Sequence, residues 1–492
     1  MRERSRSQEQ PQSPLPSQSL LSLFKPSSCK RLGLACCAGL TWFVSSTSLA
    51  PSSATTSNFE TAPKQGDWTA ALPAPLDTKD YRPVDPALAR LGRLLFYDPI
   101  LSGNKNISCG TCHNHDHASA DGLSLPVGEG GSGIGPKRHV GNGPHRIERR
   151  VPRHSPTLFN LGHRSVTTLF HDGRLSVDTN EPSGFDNPLL DTRLHDLPDG
   201  LDGIVAAQAV LPLLAATEMT GRADENDVAH AAQDTPFKGW TTISRRVAAI
   251  PLYAELFKEA YDDIVSPNDI RIVHVANALA DFIEREWRAN ETPFDAWLRG
   301  EGTLSSNALK GAELFFGSGG CVSCHTGSLL GGATFAAIAM PQLGPGRTRL
   351  FSDGAFDRGR INVTNDRKDA YRFRVPPLRN VIASAPYGHS GAYSTLQGVV
   401  RHHLDPLTAL EAYDPAEAIL PRHDVLTRKD ALTHWNDRER RRIAAANELH
   451  PSSLAETDIR NLLAFLQSLT DKTSLKGRLG KPETVPSGLP VE

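Results

Sequence analysis

Two copies of the pattern Cys-x-x-Cys-His, at Cys109, Cys112 and His113 and again at Cys321, Cys324 and His325, constrain this chain more than any other feature. The two thiols of such a pattern reach the vinyl-derived positions of a porphyrin, while the adjacent histidine supplies an axial nitrogen to its iron. Each copy therefore predicts a covalently attached c-type haem, with His113 and His325 as proximal ligands. Zinc held with further ligands is the competing reading, and a redox dithiol would leave the histidine unexplained in both copies. The other three of the seven cysteines, Cys29, Cys36 and Cys37, fall near the N-terminus, so no pair is left for a structural disulfide in the body of the chain.

A chain of 492 residues with 39% apolar content can bury a substantial core. Its 53 basic and 55 acidic residues give a formal charge of -2, which supplies no field to draw nucleic acid or an anionic membrane. The arginine-rich run at 438–442 reads as the solvated face of a helix. Lys30 and Arg31 precede an apolar run at 32–44 and a small-residue exit at Ser48, Leu49 and Ala50, which is the pattern of a signal peptide over residues 1–50. The run is short for a spanning helix of roughly 20 residues, and an uncleaved anchor is the alternative. The expected location is periplasmic, with no stable membrane span after processing.

The Ser/Thr/Ala/Pro-rich residues 51–83 read as a mobile segment and the Pro/Gly-rich residues 473–492 as a flexible tail. Between them the sequence predicts two domains, 84–295 and 296–472, each carrying one Cys-x-x-Cys-His copy. Apolar residues recur at helical spacing over 88–96 and 309–316, just before each copy, in the related strings "LGRLLFYDP" and "KGAELFFG". Further amphipathic helices are expected over 244–260, 268–287 and 456–469, with long loops over 122–153, 174–204 and 327–369. Strand signals stop at short hairpins. The expected fold class is mainly α, two cytochrome-c-like haem domains with long loops and few short strands.

Longer strings carry a family resemblance. "LGRLLFYDPILSGNKNISCGTCH", "RHSPTLFN", "LFHDGR", "QAVLPLLAATEMTG", "FFGSGGCVSCH", "VPPLRNVIASAPYGHSGAYSTLQGVV" and "LLAFLQSLTD" together resemble the bacterial dihaem cytochrome c peroxidase family, including its methylamine-utilisation relatives, over residues 84 to 472. The resemblance implies an N-terminal peroxidatic haem and a C-terminal electron-transfer haem. It places Glu218 and Gln208 over the former, where a carboxylate could shuttle a proton between peroxide oxygens and an amide could orient peroxide or water. It places His403, fourteen residues after His389, at the family's distal position on the second haem, where Met or Tyr is usual. His325 and His403 would then form a bis-histidine centre of lowered potential, with His402 as the competing neighbour. Arg379 and Arg174 are expected partners of haem propionates, and His389 is expected to sit behind the ligands.

Two departures from the family stand out. His171 in "FHDGR" occupies the place of a Trp between the haems, and an imidazole cannot serve as an easily oxidised relay. His154 occupies the place of an Asn beside an interdomain calcium, which weakens that expectation although backbone oxygens near Ser384 and Pro386 remain. His139 or His145 could cap the N-terminal iron in an inactive oxidised state. The expected function is a c-type peroxidase reducing hydrogen peroxide to water with electrons from a small exported cytochrome c or cupredoxin; a homodimer is carried as an expectation. The alternatives are a dihaem oxidase that modifies a partner protein or small substrate, and a non-enzymatic dihaem electron carrier.

Overall fold

Helices with capped starts and apolar faces set the architecture. In Pro86–Tyr97, Pro86 opens the helix, and the Asp85 carboxylate accepts from the Ala87 and Leu88 amides. Ser305 caps Ser306–Phe316 in the same manner, accepting from the Ala308 amide. The computed structural model describes residues 68–142, 146–177, 197–347 and 356–492. The leader at 1–50 and His145 lie outside them.

Each Cys-x-x-Cys-His copy is preceded by a helix packed against a later one. Pro86–Tyr97 crosses Ile272–Glu286, and Ser306–Phe316 crosses Glu456–Ser468. The crossings share a device: a Cβ on Gly92 would run into the Ala278 carbonyl, and one on Gly311 would run into the Asn461 carbonyl. Glycine is required at both because the backbones touch. The two similar strings noted in the sequence thus mark two similar helix crossings.

Two main apolar cores result. One draws on residues between Leu91 and Ala289 and is centred on Phe96, Phe282 and Trp287; the other draws on residues between Phe294 and Leu469 around Phe315, Phe316 and Phe465. They exchange residues, since Leu125 is buried in the second and Val485 in the first. Among the described residues the strands amount to two antiparallel pairs, Thr168–Leu169 with Leu175–Ser176 and Phe335–Ala336 with Phe373–Arg374. The fold is therefore mainly α. The helix expected over 244–260 is two helices, Pro236–Ala248 and Pro251–Ala260, because Pro251 starts a new one.

Two segments read as loose are held. Of the segment 51–83, the described part is anchored by Trp68 stacked on Trp297 at 6.4 Å, by the buried Leu76, and by Tyr81, whose hydroxyl donates to Asn160 Oδ1. Composition averages such single anchors away. The presumed flexible tail returns across the N-terminal core as a strap. Glu286 Oε2 accepts from the Leu479 amide and Oε1 from the Gly480 amide, Ser487 Oγ donates to Asp98 Oδ1 at 2.6 Å, and Thr111 Oγ1 donates to Glu492 Oε2 at 3.1 Å. Proline and glycine here shape an extended path whose hydrogen bonds end on distant partners.

Candidate functional site

The N-terminal Cys-x-x-Cys-His copy opens on a cavity of about 160 Å³. Cys109, Cys112 and His113 line it together with Gln208 and Glu218, so the fold brings the predicted residues to one place. Cys109–Cys112 is a single helical turn reached from the first core helix through the short turn Pro99–Leu101 and a loop, and Gln208 rides on Ile204–Val210. Glu218 lies in Ala216–Thr220, a five-residue π-turn of the kind often found at functional sites. Apolar walls come from Phe96, Ile107, Leu158 and Ile283.

His113 Nδ1 lies 2.8 Å from the Ser119 carbonyl. A carbonyl only accepts, so Nδ1 carries the proton and Nε2 keeps its lone pair. His325 repeats this arrangement with the Leu330 carbonyl at 3.1 Å. Burial pushes both imidazoles below their ordinary value, His325 to about 4, which holds them in the neutral form that ligates iron. Burial also pushes the thiols of Cys109, Cys112 and Cys321 up to about 12, which suits thioether formation better than a zinc thiolate.

Opposite charges meet the needs of a porphyrin bearing carboxylates. Arg174, Arg153 and Arg347 all line the cavity. Burial and then the nearby Arg347 bring Arg174 down to about 9, still protonated at neutral pH. Arg174 Nη1 contacts both Asp172 oxygens, and its guanidinium lies 3.5 Å over the Phe170 ring. Cavity, tautomer and excess guanidinium fit a covalently attached haem. Arg153 and Arg347 were missed in the sequence: Arg153 opens the string "RHSPTLFN", where attention went to the neighbouring His154, and Arg347 belongs to the long loop of the second half.

Arg379 is a correction. Nη1 donates to Thr292 Oγ1 and Asp295 Oδ2, Nη2 to Asp295 Oδ1 and the Ser328 carbonyl, and Nε to the Ser328 carbonyl. All five N–H groups are used, leaving none for a propionate. His139 is a second correction: it is exposed, pairs with Ser132 and does not line the cavity.

In the C-terminal copy two adjacent imidazoles on Leu396–Leu404 behave differently. His402 has both nitrogens engaged, Nδ1 with the Tyr393 hydroxyl at 2.9 Å and Nε2 with the Ile338 carbonyl at 2.7 Å. His403 gives Nδ1 to the Val399 carbonyl at 2.7 Å, which leaves Nε2 with a lone pair. After burial, the field of His403 is the next cause of the depressed His325 value, so these two imidazoles are neighbours.

Between the two copies the chain gathers cations. Burial and then Arg153, His154, His389 and Arg374 hold His171 well below its ordinary value. His154 Nδ1 is bonded to the Leu123 carbonyl, and its amide donates to the His389 carbonyl. The His389 ring stacks on Phe373 at 3.8 Å, with Nε2 buried and unpaired. Arg153 ties the halves together by a bidentate pair with Asp357 and a contact to Asp172 at 2.8 Å. This crowd of guanidinium and imidazole does not fit a hard divalent cation, so the calcium expectation has no support here.

Comparison with known proteins agrees with this geometry. Residues 86–303 match the family model described as di-haem cytochrome c peroxidase. The chain is 30% identical over 325 residues to cytochrome c peroxidase Ccp of Escherichia coli (strain K12), over 65% of this chain and 53% of the relative, so it spans about half of that protein. It is 28% identical over 323 residues to methylamine utilization protein MauG of Methylorubrum extorquens, over 65% of this chain and 70% of the relative. The fold is similar to the crystal structure of a MauG-like protein associated with microbial copper homeostasis, with a TM-score of 0.53 at 22% identity, covering 82% of this chain and 94% of that one. With its paired Cys-x-x-Cys-His copies, this chain is similar in sequence to the bacterial dihaem cytochrome c peroxidase and MauG-like family, and in fold to a MauG-like protein.

Proposed function

We propose that the protein is an exported dihaem peroxidase that reduces hydrogen peroxide to two waters in the N-terminal cavity. Two electrons come from a small redox protein through the C-terminal module. The observation that carries this reading is the meeting of Gln208 and Glu218 with Cys109, Cys112 and His113 in one cavity. Export is read from the leader; no described helix is long and apolar enough to cross a membrane.

Cys109, Cys112 and His113 would hold one haem, and Cys321, Cys324, His325 and His403 the other. When bound, each haem supplies an iron able to exchange single electrons, with reactivity set by what occupies its distal side. The Glu218 carboxylate takes a proton from one peroxide oxygen and returns it to the departing oxygen, which leaves as water. The Gln208 amide orients the peroxide. Phe96, Ile107 and Leu158 give the cavity apolar walls, and Arg174 would hold a carboxylate of the cofactor. His403, whose Nε2 keeps its lone pair, would help hold the other haem, which would suit that centre to electron transfer.

The test is peroxide turnover by the holoprotein with reduced cytochrome c, reduced cupredoxin and ascorbate as donors, with products followed by mass spectrometry. Stoichiometric oxidation of two one-electron donors per peroxide is expected. Peroxide-unreactive, fully six-coordinate irons would make the protein an electron carrier, and a covalently modified partner protein would make it an oxidase.

A further inference from the structure

Five side chains form a file from the surface to His403. The Trp435 ring lies 4.6 Å from His434, His434 lies 5.8 Å from Tyr413, and Tyr413 lies 5.6 Å from Tyr393. Tyr393 is 5.3 Å from His402, and His402 is 6.3 Å from His403. Tyr413 and Tyr393 are buried, whereas Trp435 is 70% exposed, the second most exposed large apolar side chain among the described residues. Packing does not account for an indole left in water beside a buried row of rings. Nothing in the peroxide cavity uses this row.

The hydrogen bonds along the file have a defined sense. The Ile338 carbonyl fixes the His402 proton on Nε2, so Nδ1 presents a lone pair to the Tyr393 hydroxyl at 2.9 Å. Tyr413 donates its hydroxyl to the Ala392 carbonyl, which holds its ring between Tyr393 and His434. Around the outer end, Leu432 is also exposed, and Arg428, Lys429, Arg438 and Arg441 are exposed cations on the flanking helices. Two nearby acidic groups, Glu411 and Asp437, are paired with Arg440. An apolar centre holding a Trp with a basic rim is the anatomy of a contact for a protein with an acidic face.

We propose that Trp435 is the docking point of a small one-electron donor protein with an acidic contact face, and that the file Trp435, His434, Tyr413, Tyr393, His402 carries its electrons inward to His403. The proposal rests on the peroxidase reading. When an oxidising equivalent of peroxide reaches the C-terminal module, Tyr393 loses one electron, and its phenolic proton shifts along the hydrogen bond to His402 Nδ1. An electron from Trp435 arrives through Tyr413, and the proton returns to the Tyr393 oxygen. Trp435, which exchanges its indole proton with water, is restored by one electron from the reduced donor. Two such passages, two solvent protons and one peroxide yield two waters and two oxidised donors.

Trp435→Phe is the safe variant because the side chain lies mostly in water. The holoprotein is assayed with a reduced acidic cupredoxin and, separately, with ascorbate. Turnover with the cupredoxin should fall roughly tenfold, the scale of losing one interface anchor, while the ascorbate-driven rate should fall far less. The cupredoxin rate should also drop as ionic strength rises. With peroxide and no reductant, a nitroso spin trap followed by peptide mass spectrometry should place adducts on Trp435 and Tyr393 in the wild type, and on Tyr393 without position 435 in the variant. An unchanged cupredoxin rate in Trp435→Phe, with no adduct on either residue, overturns the file and leaves the peroxidase reading standing. Wild-type protein that turns over no peroxide with any donor overturns both.

Discussion

In the N-terminal half His113 faces a cavity shared with Gln208 and Glu218; in the C-terminal half His325 has a second imidazole, His403, as its neighbour. The attachment side is built alike in both, with Nδ1 of each proximal histidine tied to a carbonyl five or six residues on and a glycine-mediated helix crossing upstream. One scaffold would then serve the two chemistries proposed above, and the two halves differ in a few residues on the far side. A π-turn delivers an acid in one half, and a helix delivers a base with a free lone pair in the other.

The sharpest way to break this comparison is Glu218→Gln. It should retain both haem-staining bands while peroxide turnover falls by roughly 10² to 10⁴-fold, the scale of a positioned acid–base group. Chemistry-limited turnover close to wild type would remove the functional distinction between the halves.

Asp295→Asn probes what Arg379 is for. The pair is almost fully buried, at 1% and 0% side-chain exposure, and removing one partner of such a pair costs about 3 to 5 kcal/mol. Denaturant unfolding should show that loss in the C-terminal core while the potentials of both haems stay put. A shifted potential with unchanged stability would restore Arg379 to the cofactor.

His403→Ala should abolish the low-spin bis-nitrogen signal of the C-terminal centre, and His403→Met should raise its potential with the haem retained. His402→Ala, which loses only the Tyr393 and Ile338 bonds, should keep the signal. The reverse pattern would exchange the two assignments.

The smallest effect concerns the strap over the N-terminal half. Burial alone would raise Glu286, but hydrogen bonds from His115 and from the Leu479 and Gly480 amides outweigh it and set its value below the ordinary 4.5. A depressed carboxylate stabilises above its unfolded value, and that contribution is lost as pH falls through the folded one. Protection from hydrogen exchange over residues 477–492, taken relative to the intrinsic rate at each pH, should therefore fall as pH drops from about 5 to about 3, and Glu286→Gln should flatten that dependence. Ser487→Ala should weaken the strap at neutral pH by about 1 to 3 kcal/mol.

Much of the site was legible because covalent haem attachment demands a local string, and Glu218 and Gln208 travel in a string of their own. The helices before each copy were legible from their apolar spacing. Arg379 was misassigned because a sequence shows a cation without showing that Asp295, 84 residues away, already holds it. Register favoured His403 over its neighbour His402 by a single residue; their different partners, Ile338 and Tyr393 against Val399, give the two rings different free nitrogens. The strap escaped for a related reason. Proline and glycine signal irregular backbone, and whether such backbone is loose depends on acceptors and donors nearly four hundred residues away, as with Ser487 and Asp98.

That long return sets a clock on the molecule. Val485 completes the core that Leu91 and Phe96 begin, and Glu492 reaches Thr111, which lies between the first two haem-bearing cysteines. A chain emerging from its N-terminus exposes Cys109 and Cys112 long before the segment that covers them exists in the same compartment. On the exported reading proposed above, the first attachment site would stay open to the attachment machinery while the chain is translocated, and closing so distant a contact comes late on topological grounds. Residues nearly four hundred positions later close the door behind the first attachment site.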